Sequence, residues 1–258
     1  MITEYYRPKK IDEALALINR KGPRTLLLGG GLYVNEVVKE PIAVVDVQDL
    51  DISDISKKGK NLIVGAAATL QTLLTSGMIS PALEKAIAHQ ETYNRRQVAT
   101  LAGTLVAASG RSPITGLLLA LDIELEMRGV DQEKTSEKLG EVLPLREEKL
   151  AGRLITSIQI PVEIPASYHY VARSPADLPI VAAAAAAWPS GRTRVVLLGY
   201  GDQPVMVFDG PDQQGAVLAA RDAYTEAADQ WASGAYRAAT AGVLVERCLM
   251  EIADSQEG

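Results

Sequence analysis

Cysteine and histidine are scarce in this chain of 258 residues, which has one cysteine, Cys248, and two histidines, His89 and His169. A single thiol excludes an internal disulfide, and it excludes a zinc or iron–sulfur site built only from cysteines of this chain. The two histidines have no third potential ligand beside them in the sequence, so we expect no metal site. Redox chemistry would therefore need an organic cofactor, or metals held by partner proteins.

Long apolar runs and a surplus of positive charge are missing as well. No apolar run approaches the ~20 residues that cross a bilayer, and residues 1–10 lack the apolar segment of a signal peptide. We therefore expect a cytoplasmic protein without a membrane span. The formal net charge of −6 and the pI near 5.1 make nucleic acid a poor candidate partner.

The spacing of apolar residues predicts alternating helices and strands in the first half of the chain. The beginning is βαβ-like, with a helix over Ile11 to Asn19, a strand over Thr25 to Leu28, a helical turn around Leu32 to Val38 and a strand over Ala43 to Val47. A second group has a strand over Asn61 to Ala66, helices that begin after Thr69, Ser80 and Ser112, and a half-exposed strand over Ile123 to Met127. The polar stretch 129–149 is the predicted domain boundary.

The last third of the chain contains a run of six alanines, Ala182 to Ala187. Alanine is the best helix former, so local propensity favours a helix here. The flanking Pro179, the turn sequence 188–191 and the apolar segment Val195 to Leu198 favour a β-hairpin instead. We predict the hairpin, followed by two helices over Gln213 to Tyr224 and Tyr236 to Ile252.

Two loops of small residues are the candidate binding elements. Gly29-Gly30-Gly31 lies between a predicted strand and a helical turn, where main-chain N–H groups can approach an anion. The same glycines can simply serve a tight turn, and the second loop, Ala99 to Thr104, can simply allow close packing. Together, about seventy residues apart, the two loops could grip the diphosphate of a large cofactor.

Several segments, taken in order, resemble one protein family. They are Tyr5-Tyr6-Arg7-Pro8, Leu26 to Tyr33, Asp46-Val47, Val64-Gly65-Ala66, Arg96 to Val106, Leu117 to Leu121, Tyr168 to Pro179 and Ala235-Tyr236-Arg237. In these segments the chain resembles the flavin-binding subunits and domains of molybdenum hydroxylases, the xanthine dehydrogenase and carbon monoxide dehydrogenase type. The resemblance covers nearly the whole chain, and the order and spacing of the segments are more specific than any one of them.

The resemblance implies an α+β fold. It would have two small α/β FAD-binding subdomains, residues 1–57 and 58–150, and a C-terminal antiparallel sheet-and-helix domain, residues 151–258. It also implies FAD as cofactor, with its diphosphate held by main-chain amides of the two loops. These are Leu28, Gly29, Gly30, Gly31 and Leu32 in the first loop, and Thr100, Leu101, Ala102, Gly103 and Thr104 in the second.

The partners implied by the resemblance are a two-iron two-sulfur subunit and a large subunit with the molybdenum cofactor. Electrons would pass from the iron–sulfur centres through FAD to NAD or another acceptor. No catalytic acid or base is expected in this chain, because substrate oxidation would take place on a partner subunit.

The chain departs from the family pattern near the expected cofactor. Gly31 and Leu32 stand where the family's first loop has Thr and Asp, Ala102 and Thr104 stand where the second has Gly and Asn, and Pro113 and Tyr170 fall where Asp and Lys are common. Each lost side-chain hydrogen bond would weaken binding by ~0.5–1.5 kcal/mol, whereas main-chain amides survive any substitution except proline. Two functions stay open: an FAD-dependent redox subunit, and a family-derived structural subunit that has lost FAD and helps to assemble the complex.

Overall fold

A computed structural model describes residues 1–34, 40–131 and 133–257. The chain divides into two units, each assembled from three segments. The first unit contains Met1–Met78, Tyr93–Ala107 and Ile123–Ile160, and the second contains Ile79–Thr92, Ala108–Asp122 and Pro161–Gly258.

The helices and strands alternate along the chain. The strands are β1 (Ile2–Tyr6), β2 (Thr25–Leu28), β3 (Ile42–Asp46), β4 (Ile55–Lys58), β5 (Asn61–Gly65), β6 (Glu124–Arg128), β7 (Lys134–Lys138), β8 (Leu154–Pro161), β9 (Ala166–Val171), β10 (Val181–Ala187), β11 (Thr193–Leu198) and β12 (Val205–Gly210). The helices are α1 (Ile11–Ile18), α2 (Leu70–Thr75), α3 (Pro81–Gln90), α4 (Tyr93–Arg96), α5 (Leu101–Val106), α6 (Pro113–Ala120), α7 (Leu139–Val142), α8 (Arg146–Lys149), α9 (Ala216–Ala223) and α10 (Gly234–Glu257).

The first unit begins with a parallel sheet in the strand order β1-β3-β2. Strand β3 lies in the middle with all of its residues buried, which explains its nearly continuous apolar sequence. Helix α1 presents Ala14 and Leu15 to the core, as its apolar spacing predicts. Of the helical turn predicted for residues 32–38, residues 35–38 lie outside the described residues.

A five-stranded sheet in the order β4-β5-β8-β6-β7 completes the first unit. The polar stretch 129–149, predicted as a boundary, contains the edge strand β7 and the short helices α7 and α8. Its charged side chains pair at the surface, for example Lys149 and Arg153 with Glu137 at 2.6 and 2.9 Å. Strand β8 begins beyond residue 150 and pairs with β6, because its apolar residues fill the core of this sheet. The finer division into three subdomains stays a prediction.

The second unit is an antiparallel sheet in the order β12-β11-β10-β9. The alanine run forms β10, which confirms the predicted hairpin with β11. Ala183 and Ala185 pack in one cluster with Leu244 and Cys248 of α10. On the opposite face, the side chain of Leu198 in β11 lies so close to Gly116 of α6 that a Cβ on Gly116 would overlap it. Small side chains thus let helices approach both faces of the sheet.

The predicted α+β class is confirmed, and the start points of several helices agree with their capping residues. The side chains of Thr69 and Ser80 accept hydrogen bonds from the N–H groups of Thr72 and Leu83, as N-caps do. The apolar pattern does not predict β4, β7 and β12, because these edge strands carry mostly exposed or half-exposed side chains. In the described parts of the chain, no helix is both long and apolar enough to cross a membrane.

Candidate functional site

The first loop, residues 28–32, leaves the parallel sheet at the carboxyl end of β2. Because β1, β2 and β3 run parallel, their carboxyl ends meet at one edge, which is where open α/β sheets bind ligands. Asp46 ends β3 at the same edge and is 4% exposed. Its carboxylate accepts hydrogen bonds from the Tyr5 hydroxyl at 2.5 Å and the Gln48 N–H at 2.9 Å, and the bond to Asp46 raises the pKa of Tyr5. Asp46 therefore connects the carboxyl end of β3 to β1 and to the residues that follow β3.

The two predicted loops lie side by side. A Cβ on Gly29 would lie 2.6 Å from Thr100 Oγ1, and a Cβ on Gly30 would overlap the main-chain carbonyl oxygen of Val98. Both glycines are therefore required for the close contact between the loops. Gly31 has a φ of +74°, which side-chain-bearing residues rarely adopt, and a Cβ there would meet only Leu28 Cδ1, at 3.5 Å.

The first loop presents a row of unused donors. Within residues 1–34, 40–131 and 133–257, no hydrogen bond is donated by the main-chain N–H groups of Gly29, Gly30, Gly31 and Leu32. All four residues are half-buried. Consecutive unpaired N–H groups in a turn after a strand form a concave anion-binding surface. The first loop therefore has the donors that a diphosphate needs.

The second loop differs from this expectation, because four of its five N–H donors, those of residues 101–104, are already used, and only that of Thr100 has no acceptor among the described residues. The N–H groups of Leu101 and Ala102 bond to the carbonyls of Ala68 and Ala66 at 2.9 and 3.3 Å, and those of Gly103 and Thr104 bond to Oγ1 and O of Thr100. Thr100 is the N-cap of α5. Residues 100–104 are thus fixed by hydrogen bonds within the protein and lie beside the glycines of the first loop. We call these five residues the wall.

The segment 66–69 fixes the second loop through the main-chain carbonyls of Ala66 and Ala68. Sequence reasoning does not identify this segment, because main-chain carbonyls are present at every residue.

Two other side chains of the second loop region are engaged within the protein. The Thr104 hydroxyl donates to the Thr100 carbonyl at 2.9 Å and is 1% exposed, so it faces its own helix. Arg96, the first residue of the segment 96–106 that resembles the family, donates through Nε to Gln71 Oε1 at 3.1 Å. Cofactor recognition at this site therefore depends on main-chain groups more than on side chains.

In the second unit, His89 is buried in an aromatic cluster. Its Nε2 lies 2.8 Å from the Asp177 carbonyl and its Nδ1 lies 2.8 Å from the Tyr168 hydroxyl, while its ring stacks on Tyr170 at 3.8 Å. A carbonyl only accepts, so Nε2 carries the proton and Nδ1 accepts from Tyr168. Burial lowers the pKa of His89, which favours this neutral form. Both ring nitrogens are used, so His89 has no free nitrogen for a metal.

A network of two arginines and two aspartates lies at the other end of the same sheet. Arg192 donates to both carboxylate oxygens of Asp209 at 2.8 Å, Arg194 contacts Asp209 at 2.7 Å, and both arginines contact Asp122. The hydrogen bond from Arg192, together with Arg194, lowers the pKa of Asp209 to about 2. The neighbouring surface depression of about 440 Å³ is lined by Ser190, Arg192, Asp209, Gly210 and Pro211. Because its charges neutralise one another, we assign this depression a structural role.

Comparison with known proteins decides the family. Residues 1–163 match the family model described as the FAD binding domain in molybdopterin dehydrogenase. The chain belongs to this family. The match includes both loops of the candidate site and the whole parallel sheet. Among the described residues, no group of three His, Cys, Asp or Glu side chains is placed to hold a metal ion.

Relatives that match along nearly the whole chain support its place in this family. The uncharacterized protein YgfM of Escherichia coli strain K12 is 30% identical over 257 residues, which covers 95% of this chain and 94% of YgfM. The carbon monoxide dehydrogenase medium chain of Afipia carboxidovorans is 24% identical, with 95% of each chain covered. The structure of reconstituted CO dehydrogenase from Oligotropha carboxidovorans superposes with a TM-score of 0.81 at 23% identity over 96% of both chains, a likeness that establishes the fold.

FAD is the cofactor that this family binds, and the first loop fits it. A diphosphate is an anion that accepts several hydrogen bonds, and the row of N–H groups from Gly29 to Leu32 supplies donors with no other acceptor among the described residues. The apolar side chain of Leu32 adds no hydrogen bond of its own. In this chain the fit therefore rests on the backbone.

Proposed function

We propose that this chain is the FAD-binding electron-transfer subunit of a molybdenum-hydroxylase-type complex, working in the cytoplasm. The observation that carries the proposal is the row of unused N–H donors at the carboxyl edge of the parallel sheet, in a chain that belongs to an FAD-binding family. When bound, FAD supplies a ring that can accept and pass on one or two electrons. The protein's task is to hold and orient it.

The proposed roles of the two loops differ. Leu28 and residues 29–32 would hold the FAD diphosphate, with the N–H groups of the glycines as donors. Residues Thr100, Leu101, Ala102, Gly103 and Thr104 would form the opposite wall, since the donors of 101–104 are already bonded. Gly29 and Thr100 touch, so the wall would keep the first loop in its binding conformation.

The proposed partners are a two-iron two-sulfur subunit and a large subunit with the molybdenum cofactor. The chain has one thiol, Cys248, which is 0% exposed and whose pKa is raised by burial to about 12. A thiolate is the form that binds iron, so this buried thiol is no cluster ligand. Metal centres that exchange electrons with FAD would therefore belong to partner subunits. We propose NAD as the acceptor, with another acceptor as the alternative.

The first test is the absorption spectrum of the purified chain at flavin wavelengths, followed by FAD titration of any colourless sample. We expect a yellow protein, or a colourless one that binds added FAD with saturation. A colourless protein that does not bind FAD would instead favour a structural subunit that helps to assemble the complex. The absence of side-chain donors from Leu32 and the engaged amides of the second loop are the features that favour this second candidate.

The second test addresses partners and acceptor. Affinity purification of the chain from its native cells should bring down iron, acid-labile sulfide and molybdenum in the same complex. After anaerobic reduction of that complex, added NAD should restore the oxidised flavin spectrum. Recovery of the chain alone would contradict the partner proposal, and a flavin that NAD leaves reduced would contradict NAD as acceptor.

A further inference from the structure

An exposed tryptophan in the second unit is flanked by two guanidinium groups. Trp231 lies in the loop between α9 and α10 and is 37% exposed. The Cζ atoms of Arg173 and Arg111 lie 4.3 and 5.1 Å from its ring centroid. Both distances are within the range of cation–π contacts, which hold the guanidinium planes close to the indole.

The loop that carries Trp231 is held by an ion pair between Asp229 and the buried Arg237. Asp229 accepts hydrogen bonds from the N–H groups of Trp231 and Ala232 at 2.8 and 3.1 Å. Both of its carboxylate oxygens also accept from Nη2 of Arg237 at 2.7 Å, and Arg237 is 0% exposed. The position of the indole is therefore set before any ligand arrives.

The two flanking arginines keep unused donors. Arg111 is anchored through Nε and Nη2 to the carbonyls of Pro179 and Leu178 at 2.9 and 2.5 Å, while its Nη1 has no acceptor among the described residues. The Arg173 side chain is 60% exposed and approaches Asp177 at 3.7 Å, beyond hydrogen-bond distance. The indole N–H of Trp231 likewise has no acceptor in the described part of the chain. Three N–H bearing groups thus surround one small surface.

This surface is locally positive on an acidic protein. Arg237 and Asp229 neutralise each other, so Arg111 and Arg173 carry two positive charges against the one negative charge of Asp177, whereas the whole chain has a net charge of −6. Burial, and then the charge of Arg237, lower the pKa of Arg111. A bound anion would offset both effects, because it would stabilise the guanidinium in its charged form.

We infer that Arg111, Arg173 and Trp231 form a binding site for the phosphate of a nucleotide. The unused N–H groups of Arg111 and Arg173 can donate to phosphate oxygens. The exposed guanidinium plane of Arg173, beside the indole, offers a flat surface for a base. None of the residues of the two FAD loops contributes to this site. The pair Trp188 and Arg192 provides the comparison: its ring contact is similar, at 4.7 Å, but Asp209 and Asp122 occupy the Arg192 donors.

Intrinsic fluorescence tests this site, because the chain has two tryptophans. In a Trp188→Phe variant of the full chain, Trp231 is the sole reporter, and we expect a saturable fluorescence change on titration with ADP at constant ionic strength. Arg173→Ala should weaken the affinity about tenfold, since it removes charge-assisted hydrogen bonds. Asp177→Asn should strengthen it several-fold, because the competing carboxylate is gone. Isothermal titration of the FAD-saturated chain, in which FAD occupies the first loop, should give the same ADP affinity without relying on tryptophan fluorescence.

The controls separate a site from general charge effects. Arg192→Ala should leave the ADP affinity unchanged, and a Trp231→Phe variant should show no saturable change at Trp188. Pyrophosphate should bind more weakly than ADP, and equal affinities would overturn the nucleotide assignment. Absence of a saturable change, or an affinity that Arg173→Ala leaves intact, would overturn the site. Flavin absorbance, read on the same samples, reports FAD binding separately.

Discussion

At Gly30 the missing side chain has two consequences. It lets the first loop lie directly on the carbonyl of Val98, and it leaves the Gly30 N–H in a row of donors with no acceptor among the described residues. Sequence inspection alone allows either a turn or an anion site for these glycines. The structure supports a packing role for Gly29 and Gly30, and it also leaves their donors unused. One residue type therefore serves both purposes.

Gly30→Ala should push the two loops apart. The new Cβ would overlap main-chain atoms of Val98, which cannot move aside as a flexible side chain would. We expect the free energy of unfolding to fall by about 1–3 kcal/mol and FAD affinity to fall with it. Urea unfolding and FAD titration measure the two effects. Gly129→Ala is the matched control, because a Cβ there meets no atom within 4 Å, and an equal loss in that variant would contradict the explanation.

Asp209 should make stability dependent on pH. Its pKa falls from the ordinary 3.8 to about 2 in the folded chain, so its pairing stabilises the fold above about pH 4 and is lost as pH falls toward about 2. The shift corresponds to at most ~2.5 kcal/mol, and solvent screening reduces the expected contribution to about 1–2 kcal/mol. Asp209→Asn should lose this amount near neutral pH, by urea unfolding, and the difference from wild type should shrink below about pH 4. A difference that does not change with pH would rule out the carboxylate as its source.

At the scale of elements, context overrides propensity in the alanine run. Ala182 to Ala187 would favour a helix in isolation. In the fold it is the interior strand of an antiparallel sheet with α10 on one face and α6 on the other. Flanking turn residues indicate this outcome in the sequence, whereas the edge strands β4, β7 and β12 have too few buried residues to show a pattern. Interior elements are therefore easier to predict than edges.

The N-terminus of α5 links stability to the candidate site. Thr100→Ala removes the cap on Gly103 and the contact with Gly29, so we expect a loss of about 1 kcal/mol in stability and weaker FAD binding. Thr69→Ala removes the cap of α2, which accepts from Thr72, and the atoms nearest to a Cβ on Gly29 and Gly30 belong to Thr100 and Val98 and not to Thr69. Thermal unfolding should show similar losses for both variants, while FAD titration should separate them. Equal FAD affinities would show that the wall does not position the first loop.

At the scale of the whole molecule, FAD binding and folding should be coupled. A ligand that binds only the folded state at a hundred times its Kd adds ~2.7 kcal/mol of stability, or about 5–10 °C in Tm for a protein of this size. Thermal unfolding of the flavin-free chain with and without added FAD measures this shift. The Gly30→Ala variant should lose most of it. No shift in the parent chain would favour the structural-subunit alternative.

Composition and local pattern by themselves determined much of what this chain is. One thiol and two histidines leave redox chemistry to an organic cofactor or to metals of partner proteins, and the order of short segments predicts the family that the comparisons confirm. These features are visible in sequence because they depend on residue identity and on spacing within single elements.

Only the tertiary structure decided which donors are available to a ligand. The amides of the second loop look free in the sequence, yet carbonyls of residues 66–68, some thirty positions earlier, accept two of them. Likewise, Arg111, Arg173 and Trp231 are far apart in the chain and meet only in the fold. Hydrogen-bond partners across such distances depend on how elements pack, which no local pattern encodes.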